Sequence, residues 1–102
     1  MTVATLLNAV TAPVIGAEQA MPSMTMARFL VTVNNPTFFA AVTLEATTDG
    51  QNYNPIRSVQ ITPGATSQAT VAHFAGAWVG WRAVLESLRP AIGAQVTATA
   101  TY

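Results

Sequence analysis

Apolar and polar positions alternate with a period of two along most of this chain, as in strands that bury one face. Over Arg28 to Val33, Phe29, Val31 and Val33 point one way and Arg28 and Thr32 the other, with Leu30 the exception. From Ala41 to Thr47 the pattern sharpens, Val42, Leu44 and Ala46 alternating with Thr43, Glu45 and Thr47. Asp49-Gly50 then predicts a hairpin turn, since Asp tolerates the left-handed region and Gly enters it without a Cβ penalty. The chain is expected to return over Tyr53 to Ile61, at a sheet edge or irregular at its start, because Pro55 lacks a ladder donor.

Further strands are predicted over Ser67 to Phe74, Trp78 to Ser87 and Gln95 to Tyr102, with turns at Pro63-Gly64, Ala75-Gly76 and Leu88 to Gly93. In the Trp78 strand, Val79, Trp81, Ala83 and Leu85 share one face and Arg82, Val84 and Glu86 the other. Thr2 to Val10 reads as a strand, leaving Thr11 to Ser23 as a connection punctuated by Pro13, Gly16 and Pro22. About seven short strands separated by Gly, Pro and Asn predict an all-β domain, a single small antiparallel sandwich, barrel-like in the extreme. Residues 1-25 are expected to form an N-terminal strand or extended arm and its connection, and residues 26-102 the sandwich body of one domain.

Composition narrows the function classes. Of 102 residues, 51% are apolar and 8% charged, four Arg balancing four acids, with no Lys and no Cys. Average domains carry roughly 25% charged residues. Hydrophobicity this high without net charge excludes a disordered chain, and the absence of Cys excludes a disulfide scaffold. Four arginines cancelled by acids argue against nucleic acid as a partner. The opening residues lack the basic region of a signal peptide, and no stretch is apolar enough for a membrane span. A chain with so little like-charge repulsion tends to associate, which suits life inside an ordered assembly.

Catalytic chemistry finds little material. His73 is the one histidine, the serines at 23, 58, 67 and 87 lie in no nucleophile elbow, and the acids at 18, 45, 49 and 86 form no evident pair. No enzyme activity, metal or cofactor is expected. Asp49, Asn52 and Asn54 put three oxygen donors in one turn, but without the spacing of a calcium loop. Arg82, Glu86 and Glu45 are candidates for structural ion pairing across strands. The aromatic residues are better candidates for partner contact. Trp78 and Trp81, three apart on one expected strand, and the adjacent Phe38 and Phe39 each fall on opposite faces, so one of each pair is expected at the surface. Tyr53 completes the candidate interface.

One ordered set of segments carries a resemblance: Phe29-Leu30-Val31-Thr32-Val33, then Val42 through the Asp49-Gly50 turn to Ile56, then Trp81-Arg82-Ala83-Val84, then the closing Val96-Thr97-Ala98-Thr99. Together they resemble small β-sandwich virion proteins of tailed bacteriophages, over residues 26 to 102. The resemblance implies a non-enzymatic virion structural protein of the capsid decoration or cement type. Such a protein is made in the host cytoplasm and resides on the capsid surface, bound to the major capsid protein or other virion subunits. Its first residues would form an arm over a neighbour, and pairing of edge strands, the first and last above all, would give a homo-oligomer such as a trimer. Two alternatives remain open: a tail- or head-fibre adhesive module stacking carbohydrate on Trp78, Tyr53 or Phe39, and a tail-tube or connector subunit.

Overall fold

The computed structural model describes residues 1-102. It is all-β, nine strands in two antiparallel sheets: β1 (Val3–Val10), β2 (Val14–Ile15), β3 (Gln19–Ala20), β4 (Met26–Val33), β5 (Phe39–Thr47), β6 (Tyr53–Ile61), β7 (Ser67–His73), β8 (Gly80–Arg89) and β9 (Val96–Thr101). The first sheet runs β1-β9-β4-β7 and the second β2-β8-β5-β6, with β3 also paired to β8. The seven longer strands follow the alternation, and β2 and β3 are two-residue additions from the segment read as a connection.

Between the sheets lies one core of 23 buried residues. The inward positions are those the period of two selects: Phe29, Val31 and Val33 from β4, Val42, Leu44 and Ala46 from β5, and Val96, Ala98 and Ala100 from β9. Many are Ala or Val, so the sheets are joined by short side chains, and Trp81 is the largest fully buried group. Its indole meets Phe74 and Tyr102 edge to face, at centroid distances of 5.8 and 5.9 Å. Such contacts add to the area that the ring removes from water.

Four register slips depart from simple alternation, one of them between Leu7 and Val10 of β1, where Ala9 has a φ of 50°. In β1 the register slips between Thr5 and Leu7, so that consecutive Leu6 and Leu7 both face inward. A slip between Leu44 and Glu45 leaves Ile56 as the extra residue of β6, just after Pro55. That strand is also the sheet edge, as its proline predicted. In β8 the slip falls between the partners of Ala41 and Val42, where Glu86 is the extra residue. It reverses the parity beyond it, so Leu88 is buried and the strand continues to Arg89 through part of the expected turn.

Two expectations are corrected. Residues 1-25 do not extend away as an arm: β1 pairs with β9 in the first sheet, while β2 and β3 pair with β8 in the second. The physical reason is the burial of Leu6 and Leu7, each 3% exposed, which fixes the segment to the core. Nor is the last strand an edge, because β9 lies between β1 and β4.

Side chains bridge the gap between the sheets on both flanks. On one flank the Gln19 amide donates to the Thr5 carbonyl at 2.7 Å, joining β3 to β1. On the other, Arg57 Nε donates to the Val71 carbonyl at 3.1 Å, joining β6 to β7. Each bridge occupies a carbonyl of an edge strand that another chain would need for pairing. Gly16 makes the first flank compact, since a Cβ there would lie 2.5 Å from the Ala83 oxygen and 2.8 Å from that of Leu6. Gly16→Ala should therefore lower stability by about 1–3 kcal/mol, as overpacking against rigid backbone does. Urea denaturation checks this, and an unchanged midpoint would contradict the close approach.

Candidate interaction surface

The two sheets differ sharply in charge. The four strands of the first contain one charged residue, Arg28, together with His73 at the end of β7. Its outer face carries the β9 threonines, Leu30, Ala69 and Val71, in the register that sets Arg28 between Thr101 and Val71. Met26 pairs with His73 one step further along, and Met26 is 54% exposed. Met1, Val3, Met26, Val71 and Tyr102 with Arg28 border a shallow depression of about 680 Å³. An exposed apolar area with a single cation has the character of a contact surface.

On the second sheet the outer face is largely polar, with Val14 and Ile15 of β2 exposed at one edge. Glu45 on β5 stands directly opposite Arg82 on β8, and Arg82 Nε donates to the Glu45 carboxylate at 2.9 Å. This is the ion pair expected from the sequence. A second carboxylate, Glu18, approaches the same guanidinium at 3.7 Å; it lies between β2 and β3, whose docking the sequence pattern did not reveal. The Arg82 guanidinium also lies 3.9 Å from the centre of the Tyr53 ring. Partial loss of water raises the Tyr53 pKa, Glu18 raises it further, and Arg82 opposes both.

Glu86 does not join that ion pair, which corrects the expected grouping. Displaced by the β8 irregularity, its carboxylate accepts a hydrogen bond from the Thr43 hydroxyl, which also lies 3.2 Å from Ser58 Oγ. Thr43 is only 4% exposed despite its outward position, because these polar neighbours cover it.

Of the five candidate interface aromatics, two are buried. Trp81 is 1% exposed and Phe38 4% exposed. Neither pair lies on one continuous strand, because Trp78 precedes β8 and Phe38 precedes β5. Phe38 turns beneath the β8–β9 loop, its ring 3.2 Å from where a Gly93 Cβ would stand. The other three are half-buried at the surface. Phe39 lies 5.2 Å from the Arg89 guanidinium, Tyr53 lies under Arg82, and the Trp78 indole N–H donates to the Ala75 carbonyl at 3.1 Å.

The hairpin between β5 and β6 forms where Asp49 and Gly50 predicted it, with Gly50 at φ 81°. The Asp49 carboxylate accepts from the backbone N–H groups of Asn52 and Gln51, both at 2.8 Å, from the Asn52 amide and from the Thr47 hydroxyl. Its oxygens are thus engaged within the turn. These donors, the Asn52 N–H foremost, hold its carboxyl far below the ordinary value of 3.8. A depressed folded-state pKa contributes stability above the unfolded pKa and loses it as pH falls toward the folded value. Asp49→Ala should therefore lower Tm most near neutral pH, with the difference from wild type narrowing below about pH 4. A difference constant down to strong acid, in thermal melts at stepped pH, would contradict this role.

No family model matches the chain, and no curated protein matches it. Among solved structures, the fold is similar to the crystal structure of the SPBc2 prophage-derived protein YomS, with a TM-score of 0.63 and 13% sequence identity. The match covers 99% of this chain and 92% of that one, so it includes β1, β2 and β3 as well as the later strands. The two chains share an all-β sandwich across nearly their whole length.

Proposed function

We propose that this chain is a non-enzymatic structural protein of a bacteriophage particle, a decoration or cement protein seated on the major capsid protein of the head. The observation that carries the reading is the outer face of the first sheet, broad, poor in charge and bearing exposed apolar residues. Balanced charge across the chain adds little repulsion between copies packed on a lattice. The protein of similar fold is described as prophage-derived, which supports a phage setting for this one. In this reading the chain is made in the host cytoplasm, joins the virion, and meets other virion subunits and further copies of itself. Bridged flanks favour contacts through faces over strand addition at the edges.

Carbohydrate stacking is the weaker reading, because Tyr53 and Phe39 each have an arginine over the ring that a sugar would need. Immunogold labelling of intact source particles, viewed by negative-stain electron microscopy, tests the location. Gold spread evenly over the head is the expected result. Label confined to the tail would transfer the protein to a tube, connector or fibre role, and absence of label from particles would overturn the virion reading.

A further inference from the structure

Each charged side chain but two meets an opposite charge, a backbone group or an aromatic ring of its own chain. Arg82 holds Glu45 and Glu18, Arg57 caps the Val71 carbonyl, Arg89 lies against Phe39, and Asp49 is engaged in its own turn. That leaves Arg28, with no carboxylate, carbonyl or ring partner, and Glu86, whose carboxylate meets only the Thr43 hydroxyl. They stand on opposite outer faces, Arg28 on the first sheet and Glu86 on the second.

We propose that the occupant of the Arg28 face is the Glu86 face of a second copy of this chain. Charge complementarity selects this pairing. Two Arg28 faces placed together would set like charges against each other in an apolar setting, which costs affinity and disfavours a two-fold contact there. A carboxylate from another copy meets the guanidinium and leaves neither charge unpaired. The apolar surroundings also correspond. Arg28 is bordered by Val3, Met26 and Val71, and Glu86 lies near Val84 and its cross-strand partner Ile15, which is 61% exposed. The chain is a slab of 39 × 26 × 17 Å, so a broad face can supply the roughly 800 Å² per partner of a standard interface. Because the two patches differ and face apart, the contact is heterologous and repeats from copy to copy as an open row. The capsid seat proposed above uses the same face, so one copy makes either contact and not both; the copy-to-copy contact is tested on the purified chain, where no capsid subunit competes.

Charge reversal tests it on the full chain. Sedimentation velocity over a concentration series at low salt should show wild-type self-association that weakens as salt screens the pair. Arg28→Glu and Glu86→Arg should each weaken association at least about tenfold, as loss of an interfacial charge pair does. An equimolar mixture of the two variants should associate again, since one then carries acid on both faces and the other base on both. The double variant should associate alone. Glu86→Gln, which keeps an acceptor for Thr43, should weaken association without disturbing the fold, so circular dichroism separates lost contact from lost structure. A wild-type protein that stays monomeric to roughly 1 mM, the limit of weak specific binding, would overturn the proposal. So would single variants that associate like wild type, or a mixture that stays dissociated.

Discussion

Everything in this sandwich depends on burying short side chains between two sheets whose flanks must then be sealed. Ala40, Ala46, Ala83, Ala98 and Ala100 are fully enclosed, which lets the sheets approach closely but leaves each contact small. A domain near this size has limited area to bury, so losing one flank removes a sizeable share of it. The first 25 residues supply one flank: Leu6 and Leu7 enter the core, Gly16 permits close approach to β8, and Gln19 ties β3 to β1. Arg57 serves the other flank with a single bond to the Val71 carbonyl. The N-terminal segment is consequently a structural member of both sheets.

Sealed flanks direct association to the faces. Edge strands invite pairing through unpaired backbone groups, and here the edges are bridged, bulged or only two residues long. What remains accessible is a pair of broad surfaces of unlike character. One has a single arginine among threonines and aliphatic groups, and the other a network built on Arg82, Glu45, Glu18 and Tyr53. The network rigidifies its own sheet and has little valence left for a partner, with Glu86 at its margin the exception. Sparse charge in this molecule is therefore unevenly used, and the unused part is divided between the faces.

Long strands were legible because a period of two with one buried face leaves few alternatives; β4, β5 and β9 bury the residues that their alternation selects. The Asp49-Gly50 hairpin was legible for a local reason, the backbone conformation that glycine permits. Arg82 with Glu45 was readable as a plausible cross-strand pair, and the β5–β8 register realises it. Hidden from the sequence were features set by tertiary packing. Bulges at Leu6 and Glu86 shift parity without a distinctive residue, unlike the one at Ile56, which follows Pro55, and two-residue strands are too short to show any period. Which member of each aromatic pair turns inward was hidden for the same reason: Trp78 and Phe38 lie just outside their neighbours' strands, where alternation no longer governs direction.

The central structural claim is that residues 1-25 belong to the folded sandwich, and amide hydrogen exchange resolved by residue tests it most directly. Gly16 donates to the Ala83 carbonyl at 2.8 Å and Met21 to that of Val79 at 3.0 Å, so both amides should exchange on the slow timescale of β8 and β9. Exchange of these amides at unprotected rates, while β4, β5 and β9 remain protected, would contradict the account and return the segment to the role of a detached arm.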